Sequence, residues 1–343
     1  MKTLLESLRA VRPDNWWFSK MPPLLAVAYL DISRGHIGPA SGTPLLLCML
    51  FSVSCVASYG HVVNDIFDVA ADARAGKSNS MAGATHLQRT VISTTFLVLG
   101  FAPALVMPYS PMSLILLALN CLWPTIYSLP ATRLKERGIA GVVCDAMGSH
   151  LTPTLFVLAL FGSASNTAPE PLFRFAITAW AAVLGIKGIL HHQIADRAND
   201  IRSGTVTFTT ETGAERTSRF IAAFNLMAEL PISFILVILV REWAPLALIS
   251  FVAYCTLESA KYKLGFKFAL GPEAWSIRPS LPFTDEAFYV AWLPVAAALQ
   301  MAISDVVWLW VPVVHILLFY RTVSAQVSTL VSVVQVARRQ MRK

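Results

Sequence analysis

Residues 62–79 read VVNDIFDVAADARAGKSN, with Asn64, Asp65, Asp68 and Asp72 close behind a long apolar run. If the helix of that run continues, 100° per residue gathers the three aspartates within an arc of about 60°, with Asn64 one turn before Asp68. They form one acidic stripe. A second stripe stands in residues 191–208, HHQIADRANDIRSGTVTF, where Asp196 and Asp200 lie four apart, Gln193 is one turn before Asp196, and Asn199 is beside them. Carboxylates gathered this closely repel unless something positive sits among them. Oxygen ligands without His/Cys pairing suit a hard cation, and Mg2+ held by one or two carboxylates completes its shell with water and phosphate oxygens. Two facing stripes predict two Mg2+ ions and an organic phosphate between them. Five aspartates, two Mg2+ and a diphosphate leave an excess of negative charge, so cations must stand near. Lys77 and Arg74 follow the first stripe, Arg133, Lys135 and Arg137 lie in a later loop, and Arg197 and Arg202 flank the second stripe. The plainer reading, helix-end aspartates solvated by water and basic residues that set topology, accounts for any one of these residues. It does not account for five aspartates in two clusters.

The elements that must position these stripes are membrane helices. The chain has 343 residues, of which 55% are hydrophobic and 14% charged, with mean hydropathy +0.59; a soluble domain is about 25% charged. Apolar blocks of roughly 17 to 25 residues match about 30 Å of hydrocarbon crossed as helix. The pattern does not alternate as a β-barrel would. The expected spans are 22–39, 44–68, 90–108, 111–129, 139–161, 172–192, 217–240, 243–262 and 286–303, with a further apolar segment at 306–335. The fold class is therefore all-α, a polytopic membrane protein of about nine transmembrane helices, or ten. The first span is interrupted by Asp31, Arg34 and His36, and the last segment, which contains Pro312, can span, bend or lie on the surface. Spans 1–4 and 5–8 place their polar ends alike, which suggests an internal duplication without strong identity between halves.

The net charge of +7 does not indicate nucleic acid, because the basic residues gather in alternate loops. Lys2, Arg9, Arg12 and Lys20 precede span 1; others follow spans 2, 4, 6 and 8, including Arg89, Arg216, Arg219, Lys261, Lys263, Lys267 and Arg278. The opposite loops hold Arg34, Arg174 and Arg241. This positive-inside pattern predicts a cytoplasmic amino terminus and cytoplasmic site loops, in an inner or plasma membrane. The basic tail Arg338, Arg339, Arg342 and Lys343 joins them if there are ten spans. The first 20 residues do not read as a cleavable signal peptide. Five cysteines without CxxC spacing read as reduced packing residues. No GxxxxGK[ST] or GxGxxG is present, so nucleotide-driven transport has no support. His191 and His192 point about 100° apart on a helix and do not make a zinc site.

These motifs resemble the UbiA superfamily of intramembrane prenyltransferases. Its NDxxDxxxD signature is present in full as Asn64, Asp65, Asp68 and Asp72; its DxxDxxxD signature is reduced to Gln193, Asp196 and Asp200. YSLPATRLKERG, with Tyr127, Arg133, Lys135 and Arg137, looks like the family's YSxPPxRLKxRG, and RPDNWWFSK, with Arg12, Pro13, Trp16 and Lys20, like its RPxxW. The resemblance covers residues 12 to 210. It implies helices around a central cavity open toward the membrane, and transfer of an isoprenyl group from its diphosphate to an aromatic or other small acceptor. On that basis Asn64, Asp68, Asp72, Asp196 and Asp200 are expected to hold Mg2+, and Lys77, Arg133, Lys135 and Arg137 to clamp the diphosphate. Asp65 is expected to orient a base or a cation, and Tyr127 to lie near the site. Lys187, four residues before His191, forms either a functional buried pair beside the cavity or a structural one. Gln193 leaves the second metal site one charge short, so its ion is held more loosely or through water. The sequence ARAGKSNSMAGATH replaces the family's Arg-Pro loop and withholds any inference about the acceptor.

The expected organisation is a cytoplasmic segment at 1–21, a transmembrane prenyltransferase domain at 22–320 and a basic tail at 321–343. The expected partners are a prenyl diphosphate, a small acceptor and the lipid bilayer, with no nucleic acid and no obligate protein partner. The rivals are a terpene cyclase using the same ions and, from another class, an ion-coupled secondary transporter. Alanine at Asp68 or Asp196 is expected to abolish turnover with little loss of stability, by relieving carboxylate repulsion.

Overall fold

The structure, a computed structural model, describes residues 11, 13–107, 109–165, 170–266 and 286–341. Among these every regular element is helical. Arg12, Lys2, Arg9, Lys267, Arg278, Arg342 and Lys343, named above, lie outside the described residues. We label the long helices α1 (Trp17–Gly35), α2 (Pro39–Ala75), α3 (His86–Phe101), α4 (Pro111–Ser128), α5 (Ile139–Ala164), α6 (Pro171–Ser203), α7 (Ala214–Leu239), α8 (Pro245–Lys263), α9 (Phe288–Ser304), α10 (Val306–Leu318) and α11 (Tyr320–Met341). Proline opens α2, α4, α6 and α8, where its fixed φ suits a helix start and its missing N–H has no partner to lose. Ser110 caps α4, and Thr85 with Gln88 forms a capping box at the start of α3.

Helices α2, α4, α5, α6 and α7 are each long and apolar enough to cross a bilayer, and α10 with α11 would be a sixth if counted as one broken span. Helices also stand at the other expected positions. However, α3 has 16 residues, α9 is shorter than a full crossing, α1 carries Lys20, Asp31 and Arg34, and α8 carries Glu258, Lys261 and Lys263. Several bounds differ from those expected. Helix α2 begins at Pro39 and runs on to Ala75, past the end of its apolar block, so the acidic stripe does lie on a continuous helix.

In three places an α-helix widens to a π-turn: Met147–Leu151 in α5, Asn225–Glu229 in α7 and Phe288–Trp292 in α9. Each is followed two residues later by a proline, Pro153, Pro231 or Pro294. A proline inside a helix cannot donate to the carbonyl four residues back and its ring crowds that carbonyl; the extra residue of the π-turn takes up both effects without breaking the helix.

The chain folds as two compact units. One contains Ala40–Ala164 and Thr178–Phe220; the other contains Trp17–Pro39, Ser165–Ile177 and Ile221–Lys343. In the first, α2 meets α4 where Tyr59 and Thr125 share a 2.9 Å hydrogen bond and the Ser128 hydroxyl donates to Asn64 Oδ1 at 3.1 Å. Trp123 Nε1 donates to Thr152 of α5 at 2.9 Å. Gly185 of α6 lies so near α5 that an added Cβ would come within 2.8 Å of Ala146 Cα and O. These contacts bring the polar ends of α2, α4, α5 and α6 together.

In the second unit the buried Phe319 breaks the last apolar segment. It stacks on Trp17 at 5.5 Å between ring centroids and lies tilted against His315 at 4.8 Å, and α11 turns away from α10 by 81°. The break falls at this aromatic cluster. Of the three courses left open for this segment it bends, and Pro312 lies in the first α-helical turn of α10, seven residues before the break.

Candidate active site

The first stripe rides on the last three turns of α2. Gly76, at φ +71°, reverses the chain in a conformation that glycine adopts without a side-chain clash. The returning loop is pinned to the stripe. Asn79 Nδ2 donates to Asp72 Oδ2 at 2.7 Å and to the Asp65 carbonyl at 2.9 Å, and the Ser80 hydroxyl donates to Asp65 Oδ2 at 2.5 Å. Asp65, 1% exposed, therefore anchors the loop that carries Lys77. Lys77 leaves the first stripe altogether: its ammonium donates to Asp196 Oδ2 of α6 at 2.5 Å. Nearby, Arg74 Nε donates to the carbonyl of Ser203 at 3.1 Å, so the ends of α2 and α6 are tied twice.

The loop after α4 reaches the same place. Lys135 donates to Asp68 Oδ1, and Arg133 stands 3.7 Å from the same oxygen while holding Glu136 at 2.7 Å. Arg133 has φ 38° and ψ 51°, the left-handed region that costs a non-glycine residue energy. The loop is thus bent sharply to deliver two cations to one carboxylate. Lys135 is also within electrostatic range of Asp200, as is Lys77. Tyr127, at the end of α4, is within electrostatic range of Asp68, Asp145 and Asp200.

On α6, Asp196 accepts from Asn199 at 2.7 Å as well as from Lys77, and Asp200 accepts a long 3.5 Å hydrogen bond from Thr207. Gln193 Oε1 accepts from the backbone N–H and the hydroxyl of Thr209, at 3.2 and 3.4 Å. The loop beyond α6 is thereby folded down onto the second stripe.

The two acidic helix ends, with Lys77, Arg133 and Lys135, are brought into one neighbourhood. Arg137 is exposed and forms no ion pair with a described residue. Lys187 is fully buried on α6, within electrostatic range of His191, but it lies nine residues, about 13.5 Å of helix, from Asp196. Asp145, absent from the residues singled out in the sequence, is within electrostatic range of Tyr127. Its signal was available: it is a lone carboxylate in the apolar segment GVVCDAMG. Thr207 and Thr209 carried no comparable signal, because a hydroxyl partner of a distant helix cannot be read from spacing.

Among the described residues no three His, Cys, Asp or Glu side chains converge as a ready-made metal nest. The physical reason is that the carboxylates are engaged by internal cations and amides. The donor set still fits Mg2+: all its atoms are hard oxygens, two carboxylates sit on each side, and one on each side, Asp68 and Asp196, is held by a flexible lysine ammonium that can turn to a phosphate.

Folded in this way, the chain is an all-helical integral membrane protein whose acidic helix ends meet beneath basic loops. A model of the UbiA prenyltransferase family matches residues 21–264, and the chain belongs to that family. Among solved structures it is similar to a UbiA homolog from Archaeoglobus fulgidus bound to DMAPP and Mg2+. That match has 16% identity and TM-score 0.59, over 87% of this chain and 99% of the other. The same homolog bound to GPP and Mg2+ matches at 15% identity and TM-score 0.59, with the same coverage. A digeranylgeranylglyceryl phosphate synthase matches at 17% identity and TM-score 0.51, over 92% of this chain and 99% of that one. These are likenesses of fold. No curated protein matches the sequence.

Proposed function

We propose that this protein is a Mg2+-dependent intramembrane prenyltransferase that moves an isoprenyl group from an allylic diphosphate to an aromatic or other small acceptor. The observation that carries the reading is the exchange of charges between the two stripes. Lys77 of the first stripe's loop is bonded to Asp196 of the second, and Lys135 is bonded to Asp68 within range of Asp200. Carboxylates for metal and cations for phosphate stand together where a diphosphate needs both. The binding of prenyl diphosphates with Mg2+ by the Archaeoglobus homolog supports it.

Asn64, Asp68, Asp72, Asp196 and Asp200 would hold Mg2+. When bound, the metal supplies Lewis-acid assistance and charge neutralisation to the departing diphosphate. Lys77, Arg133 and Lys135 turn from their carboxylates to the phosphate oxygens and keep the leaving group oriented. The C1–O bond breaks with its electron pair passing to the diphosphate; an electron pair of the acceptor forms the new bond to C1, and the acceptor's proton leaves to a nearby base. Tyr127 offers an aromatic face to the developing allylic cation, worth about 0.5–2 kcal/mol. Asp65 acts through the loop it anchors, and Arg137 serves as a mobile outer cation. Lys187, by its distance, receives no part in the reaction. The site faces the cytoplasm of an inner or plasma membrane, in a chain of nine or ten crossings, and the protein works without an obligate protein partner.

The test is mass spectrometry of products from membranes given allylic diphosphates of several lengths, with and without cell extract as acceptor source. A prenylated acceptor formed with Mg2+, lost in EDTA and restored by Mg2+, is the expected result. A terpene hydrocarbon or alcohol formed without extract would instead make the protein a cyclase. Absence of diphosphate release at every chain length would remove the enzyme reading and return the question to transport.

A further inference from the structure

Gln193 stands where the reduced second motif lacks a carboxylate, and its side chain is buried, 2% exposed. Its carboxamide has a fixed orientation. A backbone N–H can only donate, so the atom that faces the N–H of Thr209 is the oxygen, and the NH2 group must point elsewhere. That Nε2 is buried and has no hydrogen-bond partner. A buried donor left unmade is expensive, and it calls for an acceptor from outside the chain. Gln193, Asp196 and Asp200 fall within about 60° on the face of α6, and Gln193 lies three residues, about 4.5 Å, nearer the apolar middle of the helix. The orphan donor therefore belongs to the inner end of the acidic stripe.

We infer that Gln193 is a substrate-binding residue whose Nε2 donates to an oxygen of the phosphate that carries the prenyl chain, and that it is not a metal ligand. The inference rests on the proposed reading of the site as a diphosphate site. A phosphate oxygen only accepts, so it complements a neutral donor. An aspartate at this place would present acceptors alone and would add a third negative charge to Asp196 and Asp200. The anchoring of Oε1 by Thr209 aims the amide, so the loop that follows α6 presents Gln193 to the substrate.

The test measures binding of a nonreactive thiolo analogue of geranyl diphosphate, with Mg2+, to the purified full chain in detergent. Gln193→Glu keeps the size and an oxygen for Thr209 but replaces the donor with an acceptor. Gln193→Met removes both polar atoms. A hydrogen bond to a charged group corresponds to about tenfold or more in affinity, and we expect at least that loss in Gln193→Glu and in Gln193→Met. Wild-type affinity in Gln193→Glu would overturn the inference, since it would leave the amide as a brace for the loop only. If either variant fails to fold, the wild-type complex decides by cryo-electron microscopy. A phosphate oxygen within about 3.2 Å of Nε2 upholds the assignment, and a water or a bare pocket there defeats it. Failure of the wild type itself to bind the analogue would sink the functional reading and this inference with it, whereas equal binding by wild type and Gln193→Glu sinks the inference alone.

Discussion

Asp68 shares a buried ion pair with Lys135, both side chains 10% exposed, whereas Asp196 meets Lys77 where the side chains are 27% and 32% exposed. The difference reverses an expectation drawn from like-charge repulsion alone. Removing one carboxylate does not relieve strain here, because each carboxylate already holds a cation; it strands that cation. For the buried pair the stranded ammonium costs about 3–5 kcal/mol, while breaking the half-buried Lys77–Asp196 pair, which water reaches, costs less. Asp68→Ala and Asp196→Ala should both lose turnover, yet only Asp68→Ala should lower the unfolding temperature in detergent by many degrees. The double variant Asp68→Ala/Lys135→Met, with no stranded charge, should regain most of that stability and none of the activity. Equal melting of the two single variants would show that Lys135 is not committed to Asp68 in the resting protein.

The elements that hold these residues were legible to different degrees. Apolar runs of bilayer length announced helices α1 to α9, because burial in lipid demands a helix whatever its neighbours are, whereas α10 and α11 read as one segment. The acidic stripe required that α2 continue through the aspartates, a condition that their spacing left open, and the structure has the helix reach Ala75. The cross-connections were not legible. Lys77 bonded to Asp196, Lys135 to Asp68 and Gln193 to Thr209 depend on how separate helix ends meet, which no local period encodes. The break at Phe319 was hidden for the same reason: it comes from aromatic packing, while the visible Pro312 does not interrupt its helix. Close backbone approach is a further feature that only the fold reveals. An added Cβ at Gly141, in the first turn of α5, would lie 2.7 Å from the carbonyl oxygen of Leu134 and 3.1 Å from Lys135 Cα. Backbone cannot swing aside as a side chain can, so Gly141→Ala must push the 134–136 turn outward and draw Lys135 away from Asp68. The expected outcome is a loss of about 1–3 kcal/mol in stability and a raised KM for the diphosphate. Gly83→Ala, with nothing within 4 Å of the added atom, serves as the control and should behave as wild type. Unchanged KM in Gly141→Ala would mean that the turn adapts without moving the lysine.

At the scale of the whole chain the basic residues gather in alternate connections. In the unit that carries the site, the last turns of α2 and α6 and the connections after α2 and α4 hold Arg74, Arg202, Lys77, Arg133, Lys135 and Arg137, whereas residues 102–110, between α3 and α4, hold no charged side chain at all. Basic residues in short loops resist export across the membrane, so on the proposed reading this sorting would put the site at the cytoplasmic face and residues 102–110 at the opposite one. The same asymmetry would serve the proposed chemistry, because an anionic diphosphate would meet a basic rim before it reached the carboxylates. The two ends of α3 offer a direct check. Gly83 lies exposed before the helix and Leu105, 88% exposed, lies in the turn after it. In a cysteine-free background, Gly83→Cys should react with a membrane-impermeant thiol reagent in inside-out vesicles and be protected in right-side-out ones. Leu105→Cys should show the reverse. Labelling of both from the same side would mean that α3, with its 16 residues, does not cross the membrane, and would place the acidic ends without the sidedness that their basic loops imply.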